Sequence, residues 1–218
     1  MEELNPNTFV RLTVGAIWEN LPLVLLGGVC FSLLCAPAFV LSVLDLPYAT
    51  LVAAILLAWP GWTALLALEA AILAGRKATL GEMFSAFRRF WVRSVRLGVV
   101  AALPILAWLW IGALAEPPPL AWPALILAGA GALLVLTLAL YALPLLVLHD
   151  QEVATALRNS AVLASRHLAN TVGLVSMGVL AGFAVVYISP AFLFLLPALC
   201  GMFVVNNCRL VLMQEEKR

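Results

Sequence analysis

Residues 120–148 form a run of 29 positions without one charged side chain, LAWPALILAGAGALLVLTLALYALPLLVL. At about 1.5 Å of rise per residue, a helix of that length exceeds the roughly 30 Å hydrocarbon thickness of a bilayer. Apolar stretches at 21–44, 51–73 and 97–115 repeat the pattern, and 171–213 adds 43 positions in which Arg209 is the first charge. The last stretch is too long for one crossing and divides at Ser189-Pro190 into 171–188 and 191–213, which makes six spans. Composition closes the alternative: 65% of the residues are hydrophobic and 11% charged, where a soluble domain has about 25% charged. The expected fold is an all-α polytopic membrane helical bundle, with residues 1–218 as a single integral membrane domain.

Charge along the chain tests the count of six. With six crossings, the intervals 1–20, 76–96, 149–170 and 206–218 share one side and hold all twelve Lys and Arg, while the opposite loops carry Asp45 and Glu116. The positive-inside rule then puts both termini in the cytoplasm. A single crossing over 171–213 would send Arg209, Lys217 and Arg218 outward and spoil this segregation. Tyr48, Trp108, Trp110, Trp122 and Tyr187 fall at the outer boundary, as an aromatic belt does. Glu116-Pro117-Pro118-Pro119 makes a stiff outer connector that cannot continue a helix.

Two polar intervals read as amphipathic helices. Over 79–96, Leu80, Phe84, Phe87, Trp91 and Val95 share one face and Arg89, Arg93 and Arg96 the other, the pattern of a basic interfacial helix. Thr79 and Glu82 have the capping-box spacing that starts a helix. Over 150–169, Val153, Leu157, Ala161, Ala164 and Leu168 lie opposite Arg158, Asn159 and Arg166, with Asp150 the expected N-cap. The small residues on that apolar side suit packing against protein. Arg88, Arg89, Arg93, Arg96, Arg158 and Arg166 are therefore the candidate contacts for anionic headgroups, each contributing about 1 kcal/mol, or for a protein partner. A weak repeat of span, amphipathic helix and span, about 75 residues apart by Gly98 and Gly173, points to duplication.

Candidate polar sites inside the spans are few. Glu69 is the only acidic residue well inside a predicted crossing, where an ionisable group costs about 2.5–3.5 kcal/mol at the midplane on insertion scales. Its position near the cytoplasmic end, with Arg76 two turns on along the same face, favours snorkelling or an ion pair. Asn206 and Asn207, beside Arg209, suit structural hydrogen bonds, headgroup contact or pairing with the amphipathic helices. Pro37, Pro60, Pro104, Pro144 and Pro197 each interrupt a span and free a carbonyl, as structural kinks or as hinges of a transport site. The four cysteines, all in apolar runs without metal-ligand spacing, read as small buried hydrophobes. His149-Asp150 fits an interfacial histidine beside a helix cap better than an acid–base pair, and His167 has no evident partner. No H-E-x-x-H, G-x-S-x-G or phosphate-binding glycine loop occurs; no cofactor, metal or nucleic-acid partner is implied, and the expectation is not an enzyme.

Trp18-Glu19-Asn20 before a first span with Pro37, Phe84-x-x-Phe87-Arg88-Arg89-x-Trp91, Tyr141-x-x-Pro144-Leu145-Leu146 and Ala156-Leu157-Arg158-Asn159-Ser160 resemble the YesL-like family of bacterial integral membrane proteins. The resemblance implies a multi-pass protein of the bacterial cytoplasmic (inner) membrane, associated with carbohydrate uptake systems of the ABC type, and supplies no catalytic residues. The resulting expectation is a non-enzymatic accessory protein that contacts transporter subunits or a second copy of itself. The alternative is a small-solute transporter or channel built from proline-kinked helices.

Overall fold

The computed structural model describes residues 8–112 and 121–216. The proline connector at 116–119 and the cations Lys217 and Arg218 lie outside the described residues. Nine α-helices run in order among them: α1 (Phe9–Glu19), α2 (Leu21–Val43), α3 (Pro47–Ala53), α4 (Trp59–Leu73), α5 (Leu80–Gly112), α6 (Ala121–His149), α7 (Val153–Arg166), α8 (Leu168–Phe183) and α9 (Leu196–Glu216). A π turn, Ala54–Ala58, joins α3 to α4 so that Pro47–Leu73 is one crossing. Another, Ala184–Ile188, extends α8. Six of these segments are long and apolar enough to cross a bilayer. The protein is an all-α, multi-pass membrane bundle.

Each turn has a local cause. At the end of α4, Gly75 takes φ 67°, and the bonds from Gly75 N–H to Ile72 O and from Arg76 N–H to Ala71 O close a Schellman motif. The end of α2 repeats that geometry with Asp45 at φ 55°, one of the few residue types besides glycine that tolerates the left-handed region. Before α5, the Glu82 carboxylate accepts from the Thr79 N–H at 3.3 Å, half of the expected capping box.

Several expected boundaries change. The basic helix 79–96 and the span 97–115 are one 33-residue helix, α5, because nothing between Leu80 and Gly112 breaks it before Pro104. α5 packs through a face that the interfacial pattern did not mark: Met83, Ala86, Phe90, Ser94 and Leu97 are covered, while Phe84 and Trp91 of the apolar stripe remain exposed, as an interfacial helix requires. Small side chains let α5 approach α4 closely, with Gly98 seated against the Trp59 ring, and the bulky rings turn outward. The second amphipathic segment keeps its own helix, α7, ended by a break at His167. Its covered residues are Ala156, Ser160, Leu163 and Ala164, while Ala161 and Leu168 are exposed. Asp150 is not its N-cap; Glu152 holds that position. The two copies of the proposed repeat thus differ, one fused and one broken. The first polar interval also contains a helix that periodicity did not flag, α1, held by Thr13 and Ile17.

The sixth crossing starts later than residue 191. Pro190–Phe194 is a 3-10 turn, and α9 begins at Leu196 with Pro197 in its first turn, where a missing N–H costs nothing. The turn lies directly on α2: a Cβ at Gly28 would strike the Phe194 carbonyl oxygen. The Ser32 hydroxyl is 2.7 Å from Leu193 O, the carbonyl that Pro197 cannot serve. Pro60 is handled the same way, since the Trp91 indole N–H donates to Leu56 O at 3.1 Å. Both prolines are thus paired structurally by a neighbouring helix.

α9 is the most enclosed crossing and packs against α1, α2, α4, α6 and α8. One core cluster centres on Tyr141, Leu145, Leu146 and Val205, the other on Leu65, Leu68, Ala198 and Met202. The segments at 74–79 and 150–152, the first half of α5, α7 and the last turns of α9 meet at one end of the bundle, the basic end. Tyr48, Trp108, Trp110, Trp122 and Tyr187 are all exposed and lie towards the other end.

Candidate functional site

Four arginines at the basic end are committed to the fold. Arg89 Nη2 donates to Asp150 Oδ2 at 2.9 Å. Arg93 Nη1 pairs with Asp150 Oδ1 and also donates to the Asp150 backbone carbonyl at 3.2 Å. Asp150 reaches this position with φ 53°, a left-handed turn that swings its carboxylate from α6 onto α5. Hydrogen bonds from Arg89, then Arg93, hold the Asp150 carboxyl below the usual carboxylate range. Across the end, Arg166 Nη1 meets Glu215 Oε2 at 2.5 Å and His167 Nε2 lies 3.1 Å from Glu215 Oε1, which ties the α7–α8 junction to α9. Arg209 Nη1 donates to Leu73 O at 3.0 Å, satisfying a carbonyl at the end of α4 as a cation there should.

The expected contact residues therefore divide. Arg89, Arg93 and Arg166 brace the helices. Arg88, Arg96 and Arg158 are exposed, and no hydrogen bond or ion pair engages their side chains among the described residues. A cavity of about 370 Å³ opens between α4 and α5, with Arg76, Glu82, Arg89 and Arg209 on its walls and alanines of α4 as its floor. Beside it, Arg93 and Arg96 line a second cleft of about 370 Å³ against the first turn of α7. Each opening carries more arginines than carboxylates, with Glu82 in the first and Glu152 in the second.

Inside the bundle, the asparagines of α9 act as hydrogen-bonding struts. Asn206 Nδ2 donates to Thr13 Oγ1 at 2.7 Å, and Thr13 passes its own hydrogen to Phe9 O at 2.8 Å. Asn207 Nδ2 donates to Tyr141 Oη at 3.3 Å, and Tyr141 Oη lies 3.2 Å from Thr171 Oγ1. These bonds fasten α9 to α1, α6 and α8, and they commit the amides of Asn206 and Asn207 to the bundle. A third pair, Ser94 Oγ to Thr63 Oγ1 at 2.8 Å, joins α5 to α4. Thr13, Thr63, Ser94 and Thr171 escaped the sequence reading, which named Tyr141 only in a motif; a lone polar side chain in an apolar helix is the signal that finds them.

Glu69 departs most from expectation. It is 1% exposed, so it does not snorkel, and Arg76 is exposed on the surface rather than paired with it. Neither carboxylate oxygen has a hydrogen-bond partner among the described residues. Both lie against the bare backbone of Gly201, where a Cβ would collide with them. His149 likewise forms no acid–base pair with Asp150, whose carboxylate faces two arginines, and His167 does have a partner in Glu215. The four cysteines are free thiols, Cys208 buried and the others half-buried. Among the described residues no group of three His, Cys, Asp or Glu could hold a metal ion. No family model matches this chain, and no curated protein or solved structure matches it.

Proposed function

We propose that this is a non-enzymatic docking protein of the bacterial cytoplasmic membrane, with both termini and the basic end in the cytosol. Its exposed arginines bind anionic headgroups and a subunit of a membrane transport system. The observation that carries this reading is the division of labour at the basic end. Arg89, Arg93, Arg166 and Arg209 are spent on intramolecular bonds, which leaves Arg88, Arg96 and Arg158 as charges with no structural duty. Exposed cations near a membrane surface attract anionic lipid and acidic protein. The resemblance to YesL-like proteins makes a carbohydrate uptake system of the ABC type the first partner to look for.

The test is co-purification in mild detergent from the native membrane. Arg88→Glu/Arg96→Glu/Arg158→Glu should insert normally and melt within about 0.5 kcal/mol of wild type, as surface substitutions do, yet lose the bound subunit and the anionic lipid. Retention of the same partner by this variant would overturn the reading, as would a wild-type protein that brings down no transport subunit. A second reading, a small-solute transporter, is favoured by one observation, the unpartnered carboxyl at Glu69. Substrate-dependent flux in liposomes containing this protein alone would select it.

A further inference from the structure

Every other polar group named above in the interior has found an acceptor or a donor. Glu69 has not. Leu65, Leu66 and Leu68, which precede it on α4, are fully buried, as are Ala198 and Met202, close to Gly201 on α9, so bulk water does not reach the carboxyl. A charged carboxylate in such surroundings is one of the most unfavourable arrangements a fold can contain. Some positive species must therefore accompany it.

Three are available in principle. An arginine or lysine would appear as an ion pair, and Glu69 has none among the described residues. Hard metal ions gather about six or more oxygen ligands, whereas this site offers two carboxylate oxygens with no further acidic, histidine or cysteine ligand set among the described residues. A proton needs only one oxygen. Gly201 supplies the room, because any side chain there would occupy the volume that the carboxyl fills.

We propose that Glu69 is an exchangeable proton-binding site of the membrane interior. One O–H bond forms on a carboxylate oxygen as one O–H bond of a hydronium ion breaks and releases water; the carboxylate's negative charge and the hydronium's positive charge cancel, and no atom changes oxidation state. The proton exchanges with water at the basic end, the nearer end along the chain, where Leu73 hands its carbonyl to Arg209. This goes beyond the docking reading and stands apart from it, since it concerns the interior whether or not a partner binds outside.

Infrared spectroscopy of the full chain in lipid nanodiscs reads the site directly. At neutral pH the wild-type spectrum should contain the carbonyl stretch of a protonated carboxylic acid, absent from Glu69→Gln and displaced on transfer to heavy water. Labelling wild-type protein with carboxyl-¹³C glutamate assigns the band to glutamate without any variant, and Glu69 is the one glutamate buried among the described residues, so a poorly folding Glu69→Gln protein leaves the test intact. The proposal falls if the label shifts no acid band and only ionised carboxylate is seen. An acid band that heavy water never displaces would overturn the exchange. Conversion of that band to carboxylate by sodium chloride, but not by choline chloride at the same pH, would replace the proton with a metal cation. Loss of partner binding in the arginine variant leaves this band unchanged, so the two ideas fail separately.

Discussion

Asp150 and Glu69 are the two most informative carboxyl groups of the molecule, and they are managed in opposite ways. Asp150 sits in the open at the basic end, flanked by Arg89 and Arg93, where water already stabilises every charge and the pairing adds orientation more than energy. Glu69 is sealed between α4 and α9 with no hydrogen-bond or ion-pair partner among the described residues, where pairing would matter most. The lesson is that ion pairs in this bundle serve to fix the geometry of one end. The interior relies on neutral hydrogen bonds, Asn206 to Thr13 and Asn207 to Tyr141, and on a glycine that admits a carboxyl.

The contrast can be broken most severely at the interior. Gly201→Leu drives a branched side chain into the Glu69 carboxyl and should cost about 3 kcal/mol through forced separation of α4 and α9, read as a lower melting temperature in detergent. Wild-type stability in that variant would mean the carboxyl is not enclosed. Smaller, at about 1–2 kcal/mol, is the expected loss in Tyr141→Phe, which strands the Asn207 amide and one side of Thr171. An unchanged melting curve would show that the strut is dispensable.

The basic end should give the smallest effect, visible chiefly through pH. Because arginine hydrogen bonds lower the Asp150 value in the folded protein, its contribution is present above the ordinary carboxylate range and is lost as pH falls through the lowered folded value. Asp150→Asn should therefore be modestly less stable than wild type at neutral pH and converge with it in acid. A gap between the two proteins that stays constant from neutral pH to acid would remove Asp150 from the account.

Much of the architecture was legible in the chain. The run at 120–148 and the charge-free 171–205 could only be buried in lipid or protein, and the capping spacing of Thr79 and Glu82 marked the start of α5. The site was less legible. Arg89 and Arg93 read as a free cationic face because no acidic residue lies within one helical turn of them; their partner, Asp150, is 61 positions from Arg89 in the segment between α6 and α7. The stripe with Phe84 and Trp91 reads as the apolar face of an interfacial helix and both rings are exposed; the small-residue face through Ala86, Ser94 and Gly98, which helix contact rewards because it permits close approach, gives no signal in a count dominated by large apolar side chains.

The sequence by itself determined how many times the chain crosses and where nearly all of its cations collect, because the free energy of burying a residue in lipid is local and sums along each run. Only the tertiary structure decided which polar group meets which. Thr13 with Asn206, Leu73 with Arg209 and the Glu69 carboxyl against the backbone of Gly201 depend on the rotation and register of helices that are distant in the chain. A turn of one helix by a single residue, about 100°, exchanges every such partner while leaving hydropathy untouched.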